Sequence, residues 1–351
     1  MIDFYQLAPE QQVQRLHVLA RAALEHYSVS NDAKIELIKH RENAVFEIID
    51  GDTRYALRVH RENYHTDAAL KSELEWMTAL NDSSFAVGTP RIIPATDGSL
   101  MQVVRVDGVP EPRQVDLLAW VDGAPIGTIE EGVEDVAEAV KSYRQVGELV
   151  AKMHNFAGQW TLPASFERHS WDEASFLGDE PLWGPYWELE ALTERQREIL
   201  AKAAVKARVD LAEWGKGTDR YGLIHADTLP ENFLLDRDGT VRIIDFDDGG
   251  FGWHMFEFAT AMFFSFGEDY FDDLLNAMIE GYRQHRDISD EQLSKLTLFL
   301  FLRGLTYLGW VHTRKETTTA IEVTSLLIEQ VATLAARYLE GIDHYNNIRT
   351  N

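Results

Sequence analysis

The sequence predicts an α+β chain, with a small and mostly antiparallel sheet followed by a larger and mostly helical part. Three observations carry this. Short strand-like runs dominate up to about residue 122, with one helical pattern among them. A long helical pattern opens just after Gly123, in "VEDVAEAVKSYRQVGELVAKMHNFA". Residues 255–345 read as helix almost throughout. At 351 residues the chain exceeds one small core, so two lobes are expected, with the boundary near 122–124.

The elements follow in order. Residues 10–27 have the spacing of an amphipathic helix. "AKIELIKH", "AVFEIIDG" and "RYALRVHR" read as three short strands, with Asn43 in the first connection and Asp50 to Asp52 in the second. In "DAALKSELEWMTAL" the apolar residues Leu70, Leu74, Met77 and Leu80 fall on one helical face. "SLMQVVRV" and "QVDLLAWVDG" return to strand. After the long helix, residues 160–190 are aromatic-rich and irregular, and a helix is expected at about 193–214.

Composition excludes several functions. Hydrophobic residues make up 45%, ordinary for a folded enzyme. The formal net charge of -25 repels phosphate backbones, so neither nucleic acid nor an anionic membrane is an expected partner. A cationic or zwitterionic small molecule suits that charge better. With no cysteine, thiolate metal sites, disulfides and Cys nucleophiles are ruled out. The opening "MIDFYQLAPEQQVQRL" lacks the basic and apolar regions of a secretory signal, and a cytoplasmic location is expected. "LTLFLFLRGLTYLGWV" is broken by Arg303 and short for a membrane span; it reads as a buried helix.

The chemistry concentrates in "GLIHADTLPENFLL" and "VRIIDFDDGG", two apolar runs ending on acids. Asp227 and Asn232 lie five residues apart in a loop leaving a strand, so both side chains can turn toward one point. Asp227 can accept a proton from a hydroxyl nucleophile. Asn232 offers a neutral carbonyl oxygen, a hard ligand suited to Mg²⁺. Asp245 ends a run that reads as a buried strand, where an acid is costly unless paired or metal-bound. Any one of these acids alone would read as turn chemistry; the joint pattern is specific.

"IHADTLPEN" with "IIDFDD" resembles the aminoglycoside phosphotransferase-like branch of the kinase superfamily, which also holds choline and homoserine kinases. "YALRVHRE", "SELEWMTAL", "LLAWVDG", "VGELVAKMHNFAGQW" and "LGDEPLWG" follow in the order expected of its bacterial stress-response Ser/Thr kinase-like subgroup, over residues 30–310. The resemblance implies a protein kinase-like bilobal fold: an N-terminal helical segment (1–30), a nucleotide-binding sheet (31–122) and a helical C-lobe (123–351). It implies ATP and Mg²⁺, bound in the cleft between the lobes, with Asp227 as catalytic base and Asn232 and Asp245 on the metal. His225 is expected to brace the loop, and Asp247 to serve as a further acid on the metal or substrate side; the alternative makes Asp247 and Asp248 both solvated turn acids. Arg58 stands where kinases usually carry a lysine; its planar fork can grip phosphate and a carboxylate together. Its expected partner is Glu73, with Glu75 as runner-up. The phosphate loop has no G-x-G-x-x-G, and Glu42 and Asn43 occupy the bend. The Ala119 carbonyl and Val121 amide are expected at the adenine edge. Glu257 falls where the family holds the catalytic loop's backbone.

For the acceptor pocket, Trp253, Tyr307 and Trp310 are candidates for a face against a cation or a flat substrate. Buried Arg303 must find a partner, a substrate carboxylate or an Asp. The implied activity is phosphoryl transfer from Mg·ATP to a hydroxyl of a small metabolite, such as an amino alcohol, hydroxy amino acid, sugar or aminoglycoside. A protein Ser/Thr kinase is the first alternative and a non-catalytic nucleotide-binding scaffold the second.

Overall fold

The computed structural model describes residues 4–40, 43–128, 132–133 and 135–342. Glu42 of the expected phosphate loop lies outside the described residues. The chain forms two compact units.

The first unit holds the residues up to Gly123, together with Thr161–Arg168 and Arg242–Asp247. It opens with α1 (Pro9–Ala23), followed by β1 (Lys34–His40), β2 (Ala44–Asp50) and β3 (Thr53–Val59). Then come α2 (Asp67–Asp82), β4 (Ile92–Ile93), β5 (Gln102–Val104) and β6 (Arg113–Ala119). The strands form one sheet in the order β1-β2-β3-β6-β4, with β5 also on β6 and every pair antiparallel. Helix α1 does not stand apart as a separate N-terminal segment. Its apolar stripe of Leu16, Leu19, Ala20 and Ala23 is buried in one cluster with Phe46, Ile48, Leu57, Val115 and Leu117 of the sheet.

Helix α2 starts where Thr66 caps it, the hydroxyl accepting from the Ala69 amide at 3.0 Å. The later segment 161–168 attaches to this helix. The Glu167 amide donates to the Ser72 hydroxyl at 2.9 Å, and Arg168 donates to the Ala69 carbonyl at 3.2 Å. Segment 242–247 also belongs to this unit, and Phe246 packs edge-on against Trp76 of α2 with ring centroids 5.1 Å apart. Both segments come from sequence expected in the helical lobe. Their side chains join the first unit because α2 offers them buried partners.

The second unit contains β7 (Ala124–Pro125), α3 (Val136–Ala157), β8 (Ser170–Trp171), α4 (Glu173–Leu177), α5 (Glu194–Trp214), β9 (Tyr221–Ile224) and β10 (Phe233–Leu235). Strand β11 (Val241–Ile243) carries the chain into segment 242–247. Next are β12 (Gly250–Trp253), α6 (His254–Met262), α7 (Phe271–Arg283), α8 (Asp290–Leu293), α9 (Leu296–Thr313) and α10 (Thr318–Leu339). Strand β12 runs antiparallel to β9 and parallel to β8. The register pairs Gly250 with Ile224 and Trp253 with Tyr221.

Helices α3 and α7 pack at backbone distance because each carries a glycine at the crossing. A Cβ on Gly147 would collide with the Met278 carbonyl, and one on Gly281 with the Arg144 carbonyl. Helix α9 is buried at nearly every position, as its uniform hydrophobicity requires. Helix α10 is the one helix among the described residues long and apolar enough to cross a membrane. It packs on α5 and α9 through Leu327, Val331, Leu334 and Tyr338.

Candidate active site

In the second unit the loop after β9 is held from three sides. Glu257 of α6 is fully buried, and its two carboxylate oxygens accept from the His225 amide at 2.6 Å and the Ala226 amide at 3.0 Å. Burial pushes its carboxyl above the usual range, against the pull of His225 and the two amides. Thr228 donates its hydroxyl to the Glu257 carbonyl at 2.7 Å. Ala226 takes a left-handed conformation, φ 65°, which a non-glycine residue adopts only when its surroundings impose it. His225 is buried, and its Nδ1 accepts from the Asp227 amide at 3.2 Å. It braces the loop.

Those contacts present Asp227, whose side chain is 17% exposed. Both of its carboxylate oxygens are engaged. Arg303 Nη2 donates to Oδ1 at 2.9 Å, and Asn232 Nδ2 donates to Oδ2 at 2.7 Å. Asn232 Nδ2 also donates to the Asp227 carbonyl at 2.9 Å. With its nitrogen spent on Asp227, the buried Asn232 keeps its carbonyl oxygen as the donor it can offer a hard cation.

Arg303 is fully buried on α9. It bonds the Ala226 carbonyl at 3.3 Å as well as Asp227. Its guanidinium lies 4.4 Å from the ring centroid of Tyr307, 4.9 Å from Trp183 and 5.4 Å from Phe256. Arg303 thus meets an aspartate, one of the two partners expected for it. Of the three aromatics expected to face a cation or a flat substrate, Tyr307 meets Arg303. Tyr307 and Trp183 already hold the protein's own cation. Trp253 is sunk in the core against Phe176, Tyr221 and Phe299, its indole N–H donating to the Gly215 carbonyl at 2.9 Å. Trp310 is half-buried, with Arg314 over its ring at 5.2 Å. Asp248 is half-buried, and its carbonyl accepts from the Trp171 indole at 2.8 Å.

In the first unit Arg58 meets Glu73, not Glu75: Nη1 donates to Oε1 at 2.7 Å. It also meets an acid that sequence reasoning missed. Asp116 of β6, fully buried, accepts from Nε at 2.8 Å and from Nη2 at 2.9 Å. The signal was present as a lone acid inside the apolar run "QVDLLAW", but the pairing of β3 with β6 is needed to read it. Burial works against the Asp116 charge, yet Arg58 and His60 hold its carboxyl down at about 2. Arg168 approaches the second Glu73 oxygen at 3.7 Å.

Asp245 is exposed and left-handed at φ 65°. The desolvation cost expected at a buried strand end therefore does not act on it; its distinction is a strained backbone. Asp247 is buried beside His65, Nε2 to Oδ1 at 3.5 Å. Burial opposes its charge, but His65, His60 and Arg58 outweigh it and hold the carboxyl below the usual range. Ala119 ends β6, its amide donating to the Arg91 carbonyl at 2.8 Å, and Val121 lies half-buried two residues beyond. Asn43 accepts from the Arg61 amide at 3.3 Å through its side-chain oxygen.

A family model described as the phosphotransferase enzyme family matches residues 34–291. Among solved structures, a microcompartment-associated aminopropanol kinase is 33% identical, with 94% of this chain and 99% of that chain covered and a TM-score of 0.82. An amicoumacin kinase in complex with AMP-PNP, Ca²⁺ and Ami is 18% identical over 93% of this chain and 94% of that one, TM-score 0.71. A choline/ethanolamine kinase family protein from Mesorhizobium loti is 16% identical over 96% and 100%, TM-score 0.61. The two more distant likenesses show the fold alone. No curated protein matches the chain.

Proposed function

The chain belongs to the phosphotransferase enzyme family, a group of kinases with alcohol acceptors, and from that premise we propose that it moves the γ-phosphate of ATP to the hydroxyl of a short amino alcohol. The observation that carries this is the Asp227 carboxylate, pinned at both oxygens by Arg303 and Asn232 while still partly open. A carboxylate so held is aimed at one point and ready to receive a hydroxyl proton.

In the proposed step the acceptor oxygen attacks the γ-phosphorus. The bond from that phosphorus to the bridging oxygen breaks, and ADP leaves with the electron pair. The acceptor proton passes to Asp227. The transition state is loose, so Asp227 mainly orients the hydroxyl and takes the proton late. Asn232, through its carbonyl oxygen, and Asp245 would hold Mg²⁺. When bound, Mg²⁺ neutralises charge on the phosphates. Arg58, fixed by Glu73, would face the phosphates, and the Ala119 and Val121 backbone the adenine.

An amine on the acceptor is supported by charge. The charges of Asp227 and Asp248 act on Arg303, and those of Asp227 and Glu231 on Tyr307, so the field felt by these two residues of α9 is an acidic one. It is supported also by the 33% likeness to an aminopropanol kinase. A small acceptor is favoured over a protein one, because the structure it resembles at 33% identity is a kinase of the small molecule aminopropanol.

The test is Mg·ATP turnover against short amino alcohols, hydroxy amino acids, sugars and a protein substrate, with a chelator control. Amino alcohols should turn over fastest. Asp227→Asn keeps the shape but loses the acceptor charge, and should lower kcat by roughly 10²–10⁴-fold with ATP affinity within a few-fold. Wild-type turnover in Asp227→Asn would place the base elsewhere.

A further inference from the structure

We propose that Asp116 is a positioning residue: it dictates arginine rather than lysine at position 58 and fixes that arginine for the nucleotide. The second half rests on the proposal that Arg58 serves the ATP phosphates; the first half does not.

Strands β3 and β6 are antiparallel neighbours, and their register sets Arg58 directly opposite Asp116. Opposed residues of such a pair project from the same face of the sheet, within reach of each other. Asp116 answers the guanidinium with both oxygens, on Nε and Nη2, the parallel two-bond geometry that only a planar fork can meet. The remaining nitrogen, Nη1, reaches Glu73 on α2. One side chain on β3 thus ties the neighbouring strand to the helix, and its plane cannot turn without breaking a bond at one end. Three of its five N–H groups are used, leaving one on each Nη for an anion.

A lysine could not do this. Its single nitrogen carries three donors and can bridge one oxygen of each acid, but it cannot meet both Asp116 oxygens in a parallel pair while holding Glu73. Asp116 is fully buried, so its charge must be answered inside the protein. His60 Nε2 lies 2.6 Å from Oδ2 and adds a second contact there, but it leaves Oδ1 to the arginine. A lysine at 58 would therefore leave one Asp116 oxygen without its bond from position 58, a loss that a neutral residue at 116 would lessen. Position 58 and position 116 form one device.

The experiment is a double-mutant cycle of Arg58→Lys, Asp116→Asn and the double variant in the full chain. It is read by thermal unfolding and by steady-state kinetics in ATP. Arg58→Lys alone should lower the unfolding midpoint and cut kcat/KM for ATP by about 30-fold or more. Asp116→Asn should raise KM for ATP by about 10-fold while kcat stays within about 3-fold, because it loosens Arg58 without touching the base. The double variant should unfold at a higher temperature than Arg58→Lys and recover at least about 5-fold in KM, since the introduced lysine is then free to pair with Glu73.

Additive effects on unfolding overturn the claim that Asp116 dictates the arginine. Coupling in unfolding with an unchanged KM overturns the positioning role, because the pair would then be structural only. Absence of phosphoryl transfer from the wild-type protein counts against the proposed function, and the unfolding cycle still decides whether Asp116 dictates Arg58.

Discussion

Asp227 depends on a residue 76 positions away in the chain. Arg303 is an uncommon thing to find in the middle of an apolar helix. Burying a guanidinium is costly, and the structure offsets the cost with a carboxylate, a carbonyl and three aromatic faces. The same contacts hold Oδ1 of Asp227 in place. Arg303→Met is expected to lower kcat by roughly 10–100-fold while KM for ATP stays within a few-fold, because the variant leaves the groups of the first unit alone. It should also destabilise the protein by about 2–3 kcal/mol, less than a fully buried pair because Asp227 stays 17% exposed and can hydrate. Steady-state kinetics and denaturant unfolding check both. A kcat equal to wild type would mean that Asn232 and the loop backbone suffice to aim Asp227.

At the scale of elements, α3 and α6 meet through two histidines. His154 and His254 are buried with their rings stacked, centroids 4.0 Å apart. Burial lowers both well below the ordinary value of 6.5; His154 adds to the effect on His254, and Arg286 acts on both. The other groups facing the pair are Glu257, 3.8 Å from His154 Nε2, the Tyr282 hydroxyl on Nδ1 at 2.9 Å, and the Asp219 carbonyl on His254 Nδ1 at 3.2 Å. With folded values depressed, the unfolded chain takes up protons first as pH falls. The stability they contribute is complete above 6.5 and is lost as pH drops below it. Glu257, raised by burial, works in the opposite direction, but it offers one proton against two. The unfolding midpoint should therefore decline from about pH 7 to about pH 5, and His254→Asn should flatten the decline. A calorimetric midpoint that is level across that window in the wild-type protein would show that the pair can charge inside the fold.

The whole molecule carries a formal charge of -25. Such a field draws a cationic acceptor in and slows an anionic one. For an amino alcohol, kcat/KM should fall several-fold between about 0.01 M and about 0.15 M salt, as the screening length shrinks from about 30 Å to about 8 Å. A neutral diol of the same size should show no such decline. Equal salt dependence for the two would remove the amine from the account of the acceptor.

The strand and helix texture, the acidic loop and the family resemblance were all legible along the chain, because each is written in residues close together. The spacing from His225 through Asp227 to Asn232, the helical stripe that carries Glu73, and the uniform hydrophobicity of α9 needed no third dimension. What joins distant residues was not legible. Asp116 opposes Arg58 only once β6 is known to lie beside β3. Trp183 lies in an irregular stretch, and nothing local ties it to Arg303. Trp253 looked available for a ligand and is core, because exposure is a property of packing and not of residue type. The sequence by itself determined which chemical groups are present and the local elements that carry them. Which groups meet was decided by strand register and helix packing, since a buried charge takes whatever partner the tertiary structure brings within bonding distance.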